Sequence, residues 1–155
     1  MSKAPILFIV RGHPGSGKST YAKHILAQRP GAVHIEKDSF FVDAKGVYRA
    51  DPAKRTEAEA WCLESVRKSL KSGRDTVVSN TFTARADMVP YMGLGCRVQV
   101  VEMAMDLPDT HQVPAAEIAA KKAAFEKHPG AVQILEMQKA IPAPARHFAG
   151  SRGPR

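Results

Sequence analysis

The sequence has few cysteines and no long apolar run, and both absences exclude broad classes of protein. Only two cysteines occur among the 155 residues, Cys62 and Cys96, and neither forms a metal-binding motif with histidine. A disulfide framework or a zinc site is therefore not expected, and a reducing cytosol (that of the host, if the protein is viral) is the predicted compartment. No apolar run approaches the roughly 20 residues that span a bilayer, so the sequence predicts no contact with a membrane.

The chain also lacks internal repeats and the Gly-x-Ser-x-Gly arrangement of serine hydrolases. Hydrophobic residues make up 44% and charged residues 25% of the sequence, as in ordinary globular domains. The formal net charge is +8. A basic surface attracts polyanions such as DNA, RNA and nucleotides, although a solvated surface accounts for the charge without any partner.

What the sequence does contain is a phosphate-binding motif. Five apolar residues, 6–10, predict a buried strand, and apolar residues at helical spacing follow from Tyr21 onwards. The residues between them fit the P-loop pattern: Gly12, His13, Pro14, Gly15, Ser16, Gly17, Lys18, Ser19 and Thr20. In this interpretation the loop holds a nucleoside triphosphate, Lys18 reaches its β- and γ-phosphates, and the Ser19 hydroxyl ligates Mg²⁺. A glycine-rich turn without a ligand is the alternative.

Strands and helices alternate along the rest of the chain. The pattern predicts strands at 6–10, 32–35, 76–79 and 97–103, and helices at 17–28, 51–72, 84–92, from Pro114 onwards and at 131–140. Crossovers of this length predict an α/β fold with a parallel sheet and helices on both faces. Residues 1–141 are predicted to form one domain, and residues 142–155, rich in Ala, Pro, Gly and Arg, a flexible basic tail.

Candidate site residues follow the second and third strands, because parallel sheets bind ligands beyond the carboxyl ends of their strands. Asp38 is either a general base for an attacking hydroxyl or the cap of a turn. Asn80 and Thr81 follow the third strand at the same edge. Phe41 either packs in the core, which is the expected role, or lines an acceptor pocket, and Trp61 is expected in the core.

Three stretches, residues 11–20, 35–41 and 77–81, resemble the kinase domain of phage polynucleotide kinase. They resemble equally its small relatives among the P-loop kinase-type ATPases, including NEDD-binding-protein-like and zeta-toxin-like domains. The resemblance, over roughly residues 5–127, implies a three-layer P-loop NTPase fold with a four- to five-stranded parallel sheet and a short helical lid. It also implies transfer of the γ-phosphate of ATP to a hydroxyl, in the namesake enzyme the 5′-hydroxyl of DNA or RNA.

The resemblance assigns roles by position. Lys18 and Ser19 match the nucleotide and Mg²⁺ residues of the family, and Asp38 matches its catalytic aspartate. Asn80 and Thr81 fall on a family segment that faces the site. This segment lacks the carboxylate often found there, so Mg²⁺ is expected to be held mainly by Ser19, phosphates and water.

Two further departures concern the acceptor and the lid. Phe41 stands where the polynucleotide kinase has an arginine near the acceptor phosphate, and a helix before the lid is largely missing between residues 105–108 and 111–114. The expected lid arginine falls on Ala120. The adjacent Lys121 or Lys122 either substitutes for it as a point charge or solvates a helix face.

The sequence therefore favours an ATP- and Mg²⁺-dependent kinase whose hydroxyl acceptor is on a nucleic acid. A small-molecule or modified-base hydroxyl is the alternative acceptor. A nucleotide-binding module with little catalysis, and a nucleic-acid-binding protein whose P-loop grips the phosphate backbone, are the alternative functions. The sequence leaves the oligomeric state and the choice between ATP and GTP open.

Overall fold

The computed structural model describes residues 4–104 and 113–134, and its centre is a five-stranded parallel sheet with the order β2-β3-β1-β4-β5. The strands are β1 (Ile6–Arg11), β2 (Val33–Ile35), β3 (Thr76–Asn80), β4 (Arg97–Met103) and β5 (Val132–Ile134). All six residues of β1 are buried because neighbouring strands flank it on both sides. In this register Arg11, the last residue of β1, lies beside Asn80 of β3 and Glu102 of β4.

Helices cover both faces of the sheet, as the sequence predicts. They are α1 (Lys18–Gln28), α2 (Arg55–Lys71), α3 (Val89–Met92) and α4 (Ala115–Ala124), with short 3₁₀ helices at Lys37–Phe41, Pro52–Lys54 and Arg85–Met88. One core layer packs Tyr21 and Ile25 of α1 against the sheet, and the other packs Val66 of α2 against it. Alternate residues of β1 belong to opposite layers, because successive strand side chains point to opposite faces. The three-layer prediction is confirmed.

The helix predicted at 131–140 is wrong at its beginning, because residues 132–134 form β5. This strand pairs with residues 101–103 of β4. Its β-branched Val132 and Ile134 suit a strand, and the open edge of β4 supplies hydrogen-bond partners that the local sequence does not reveal. Residues 135–140, the tail predicted at 142–155 and the segment 105–112 lie outside the described residues.

The aromatic residues expected in the core are also placed differently. Trp61 is 37% exposed on α2, and its ring centroid lies 5.9 Å from that of Phe40. Phe40 and Phe41 are half-buried and belong to neither core layer. Trp61 is exposed because α2 packs on the sheet through a different face, which carries Cys62 and Val66. Within the described ranges, no helix combines the length and apolarity needed to cross a membrane.

Candidate active site

The loop between β1 and α1 forms a tight backbone cradle. A Cβ atom at Gly12 would lie 2.4 Å from Ser16 Oγ and 2.6 Å from the carbonyl oxygen of Met103, so a side chain does not fit there. Gly17 caps α1 with φ of 98°, a left-handed conformation that favours glycine. The loop therefore turns directly into the amino end of a helix, where backbone N–H groups and the helix dipole attract anions.

The side chains of the loop include a cation that could contact a polyphosphate. The Lys18 ammonium donates to the carbonyl oxygens of Gly12 and His13, at 2.9 Å each, and so lies over the cradle. Ser16 Oγ is fully buried and has no hydrogen-bond partner among the described residues. Ser16 does not line the adjoining pocket, so its hydroxyl lies beneath the loop, against Gly12, and not toward the space for a phosphate. His13 is buried, while Pro14, Gly15 and Thr20 line the adjoining pocket.

A carboxylate beside Ser19 is the main feature that the sequence did not predict. Glu36 Oε2 accepts hydrogen bonds from Ser19 Oγ, at 3.0 Å, and from Ser79 Oγ, at 3.1 Å. His34 Nε2 lies 2.6 Å from Ser79 Oγ, and burial lowers the pKa of this imidazole. The neutral ring therefore completes a polar chain along the ends of β2 and β3. The sequence does offer one signal for this role of Glu36, its position directly after a predicted strand, at the edge of the sheet where ligands bind.

Ser19 and Glu36 together fit a Mg²⁺ ion that also contacts phosphate. Mg²⁺ prefers hydroxyl, carboxylate, phosphate and water oxygens, and commonly takes only one or two ligands from the protein. Within residues 4–104 and 113–134, no group of three or more His, Cys, Asp or Glu side chains could hold a metal by itself. A metal at this edge would therefore share its coordination with a bound nucleotide.

Asp38 lies across the pocket from the loop, on the 3₁₀ helix Lys37–Phe41. Asn80 Oδ1 accepts a hydrogen bond from the backbone N–H of Lys37, at 2.7 Å, which fixes this helix to the end of β3. A pocket of about 250 Å³ is lined by the P-loop, Asp38, Asn80 and Thr81. The structure thus brings the predicted residues of three separate strand ends into one pocket.

The two candidate lysines of α4 differ in position. Lys121 lines the pocket, with its Nζ 3.9 Å from Glu117 Oε2, whereas Lys122 is exposed to solvent. Ala120 and Phe41 line a neighbouring, larger cleft. Asp38 and Lys121 therefore line the phosphate pocket as predicted. Phe41 and Lys122, on the same two helices, do not.

A buried ion pair lies near the carboxyl ends of β1 and β4, next to the site. Arg11 Nη1 lies 2.7 Å from Glu102 Oε2, and their side chains are 0% and 2% exposed. The same guanidinium donates to the carbonyl oxygens of Phe82 and Thr83 and stacks 4.0 Å over the ring of Phe125. Phe82 has a left-handed φ of 45°, which is rare for an aromatic residue, and its carbonyl oxygen is one of those that accept from Arg11. This pair joins β1 and β4 to the segment after β3 and to the end of α4.

Comparisons with known proteins agree with this geometry. The protein family described as AAA domain matches residues 7–144. NEDD4-binding protein 2 from Homo sapiens is 30% identical over 90 residues, which is 57% of this chain and 5% of that protein, so the chain spans only a small part of this curated relative.

Solved structures extend the likeness over the whole fold. A sugar kinase from Janibacter sp. HTCC2649 superposes with a TM-score of 0.66 and 15% identity, covering 99% of this chain and 100% of the other. A chain of the Pnkp1/Rnl/Hen1 RNA repair complex superposes with a TM-score of 0.56 and 16% identity, covering 99% of this chain and 48% of the other. At these identities the likeness shows the fold alone.

Proposed function

We infer that this chain, which belongs to the AAA domain family of P-loop kinases, is an ATP-dependent phosphotransferase with a hydroxyl acceptor. The observation that carries this proposal is the single pocket lined by Lys18, Ser19, Asp38 and Lys121. These side chains come from α1, the Lys37–Phe41 turn and α4. Together they supply a phosphate cradle, a metal ligand, a base and a second cation, which are the parts that phosphoryl transfer requires.

In the proposed reaction Asp38 accepts the proton of the acceptor hydroxyl. The hydroxyl oxygen then forms a bond to the γ-phosphorus of ATP, and the bond from this phosphorus to the β–γ bridging oxygen breaks. The products are a phosphate monoester and ADP, and the proton remains on Asp38 until solvent takes it. The contribution of the protein is mainly positioning and charge stabilisation, because the transferring phosphoryl group needs little covalent help.

Cations on both sides of the γ-phosphate would stabilise the charge that is spread over its oxygens. Lys18 supplies one from the loop, and Lys121 supplies the other from α4. Ser19 and Glu36 would hold Mg²⁺, which when bound neutralises charge on the β- and γ-phosphate oxygens. The polar chain through Ser79 and His34 orients Glu36 toward Ser19.

Two classes of hydroxyl acceptor are candidates. The net charge of +8 and the resemblance to polynucleotide kinases are the grounds for a hydroxyl on a nucleic acid. A small-molecule or modified-base hydroxyl is the second candidate acceptor, and the charges beside the pocket bear on this choice below. Nucleotide binding without turnover is the second candidate function, because Ala120 occupies the position where the resemblance places a lid arginine.

The test is transfer of label from γ-labelled ATP, with Mg²⁺, to 5′-hydroxyl DNA and RNA oligonucleotides and to small hydroxyl compounds. Reactions without acceptor and with 5′-phosphorylated oligonucleotides are the controls. We expect label on at least one hydroxyl acceptor, and a loss of about a hundred- to a thousandfold in Lys18→Ala. ATP binding without transfer to any acceptor would favour the non-catalytic module. Binding of nucleic acid with a steep salt dependence, and no binding of ATP, would favour a nucleic-acid-binding protein whose P-loop grips the phosphate backbone.

A further inference from the structure

A second, larger cleft opens directly from the phosphate pocket. It has a volume of about 1030 Å³ and lies between the beginning of α2, the segment after β3, α3 and α4. Lys37, Asn80, Thr81 and Lys121 line both cavities. An acceptor in this cleft would therefore reach Asp38 and the γ-phosphate from the side opposite to the P-loop.

The cations that line this cleft are all close to carboxylates. Lys37 Nζ lies 3.8 Å, and Arg55 Nε 3.4 Å, from the same oxygen of Glu59. Lys121 Nζ lies 3.9 Å from Glu117 Oε2. A phosphate group of an acceptor that paired with Lys37 or Arg55 would have to displace Glu59 or approach it closely, and either costs free energy.

The total charge of the cleft also disfavours an acceptor that carries a phosphate group. Its lining contains three cations and four carboxylates, the additional two being Asp51 and Asp87, so its formal net charge is −1. These two aspartates accept backbone hydrogen bonds from Ala53 and Ala84, at 3.0 Å each. The net charge of +8 over the whole chain is thus not concentrated at the acceptor side.

Most of the uncharged residues that line the cleft are apolar or aromatic; the polar ones are Thr56, Asn80, Thr81 and Thr83. Phe41, Leu63, Phe82 and Tyr91 contribute side chains, and alanines on α2 and α4 leave space between them. The rings of Phe82 and Tyr91 pack edge to face with their centroids 5.3 Å apart, but they are only 7% and 5% exposed and belong to the core. The apolar surface that an acceptor would contact is therefore mainly that of the half-buried Phe41 and Leu63. The volume is at the upper end of the range of about 300–1,000 Å³ that is common for small-molecule sites, and it is far more than one sugar ring needs.

Resting on the phosphotransferase function proposed above, we propose that the acceptor is an uncharged hydroxyl compound with an apolar ring system, of the size of a nucleoside or an aryl glycoside. Its ring system packs against Phe41 and Leu63, and its hydroxyl extends to Asp38. A nucleic-acid strand, which carries a phosphate on each nucleoside, is disfavoured because Lys37 and Arg55 already face Glu59, and Lys121 is assigned to the γ-phosphate of ATP.

The test compares acceptors that differ by one phosphate. Adenosine, guanosine, cytidine and uridine are each paired with their 3′-monophosphate, with phenyl β-glucoside and 5′-hydroxyl oligonucleotides alongside, and γ-labelled ATP is the donor. The proposal predicts that kcat/KM for uncharged compounds exceeds that for phosphorylated partners by about fivefold or more. Calorimetry with a non-hydrolysable ATP analogue measures binding of the same compounds independently of transfer.

Preference for the 3′-monophosphates, or labelling of oligonucleotides alone, would overturn the acceptor class while the phosphotransferase function stands. The acceptor class also fails if no uncharged compound either takes label or binds. The proposed function itself fails if nothing is labelled and the protein does not bind ATP.

A matched pair of variants tests the role of charge pairing. Glu59→Gln releases Lys37 and Arg55, so it should shift the preference toward the 3′-monophosphates by about fivefold. Glu57→Gln makes the same change in net charge on an exposed residue of the same helix that does not line the cleft, and should leave the preference unchanged. Equal shifts in the two variants, or none in Glu59→Gln, would contradict the argument from pairing.

Discussion

The phosphate pocket and the acceptor cleft adjoin each other but are built in different ways. The phosphate side has one continuous part, the loop 12–20, which supplies six of the sixteen residues that line the pocket, more than any other segment. The cleft takes its lining from α2, α3, α4 and two connecting segments, and its charges are paired across or along these elements. The phosphate cradle itself is thus encoded by one short stretch, whereas acceptor choice depends on which distant side chains neutralise one another.

Arg11 lies under both regions, so its loss should damage both and have the largest effect on stability. Arg11→Met leaves the buried carboxylate of Glu102 without its cation and should lower the free energy of unfolding by about 3–5 kcal/mol. Urea unfolding followed by circular dichroism measures this change. The double variant Arg11→Met/Glu102→Leu should recover part of the loss, because no buried charge remains unpaired. A single variant as stable as the wild type would show that the pair does not join the two regions.

Lys121 lines both the phosphate pocket and the cleft, and the adjacent Lys122 serves as the control. Lys121→Met should lower the rate of phosphoryl transfer by about a hundredfold, since it removes a cation from the transferring group. Lys122→Met removes the same charge from an exposed position and should change the rate little. Single-turnover kinetics at saturating ATP measure both. The reverse order of effects would place Lys122 at the reacting group.

Glu36 belongs to the phosphate side alone. Glu36→Gln should raise the Mg²⁺ concentration for half-maximal activity by about ten- to a hundredfold, and leave the KM of the acceptor unchanged. A Mg²⁺ titration of the transfer rate is the measurement. If the Mg²⁺ dependence stays that of the wild type, Glu36 has no part in holding the metal.

Ala120 belongs to the cleft alone and should show the smallest effect. Ala120→Leu adds volume to the cleft and should raise the acceptor KM by about fivefold, while the KM of ATP stays constant. Ala119→Leu makes the same change on the exposed surface of α4 and controls for effects on the helix. An increase in the KM of ATP, or equal effects in both variants, would mean that the two regions are not separate.

The sequence predicted the features that depend on consecutive residues. Strand β4 begins and ends at the predicted residues, 97 and 103, and α1 differs from its prediction by one residue, because each has a clear apolar period and clear breakers. The P-loop was predictable because its glycine spacing follows from the approach of backbone to phosphate.

The remaining features depend on partners distant in the sequence. Val132–Ile134 became a strand because β4 offers an edge, and Trp61 is exposed because α2 packs on the sheet through another face. The contact between Glu36 and Ser19 joins the end of one strand to the beginning of a helix and has no local signature. The same is true of the contact between Glu59 and Lys37, on which the acceptor proposal depends.

The most direct test of the central claim separates ATP binding from transfer in Asp38→Asn. The account predicts that this variant keeps its ATP affinity within about twofold and loses transfer to its best hydroxyl acceptor by about 10²–10⁴-fold. Asp43→Asn, in an exposed turn where an amide oxygen can keep the bonds from Lys45 and Val47, should leave both quantities unchanged. Transfer by Asp38→Asn at the wild-type rate would contradict the account, because no base would then be needed between the phosphate pocket and the acceptor cleft.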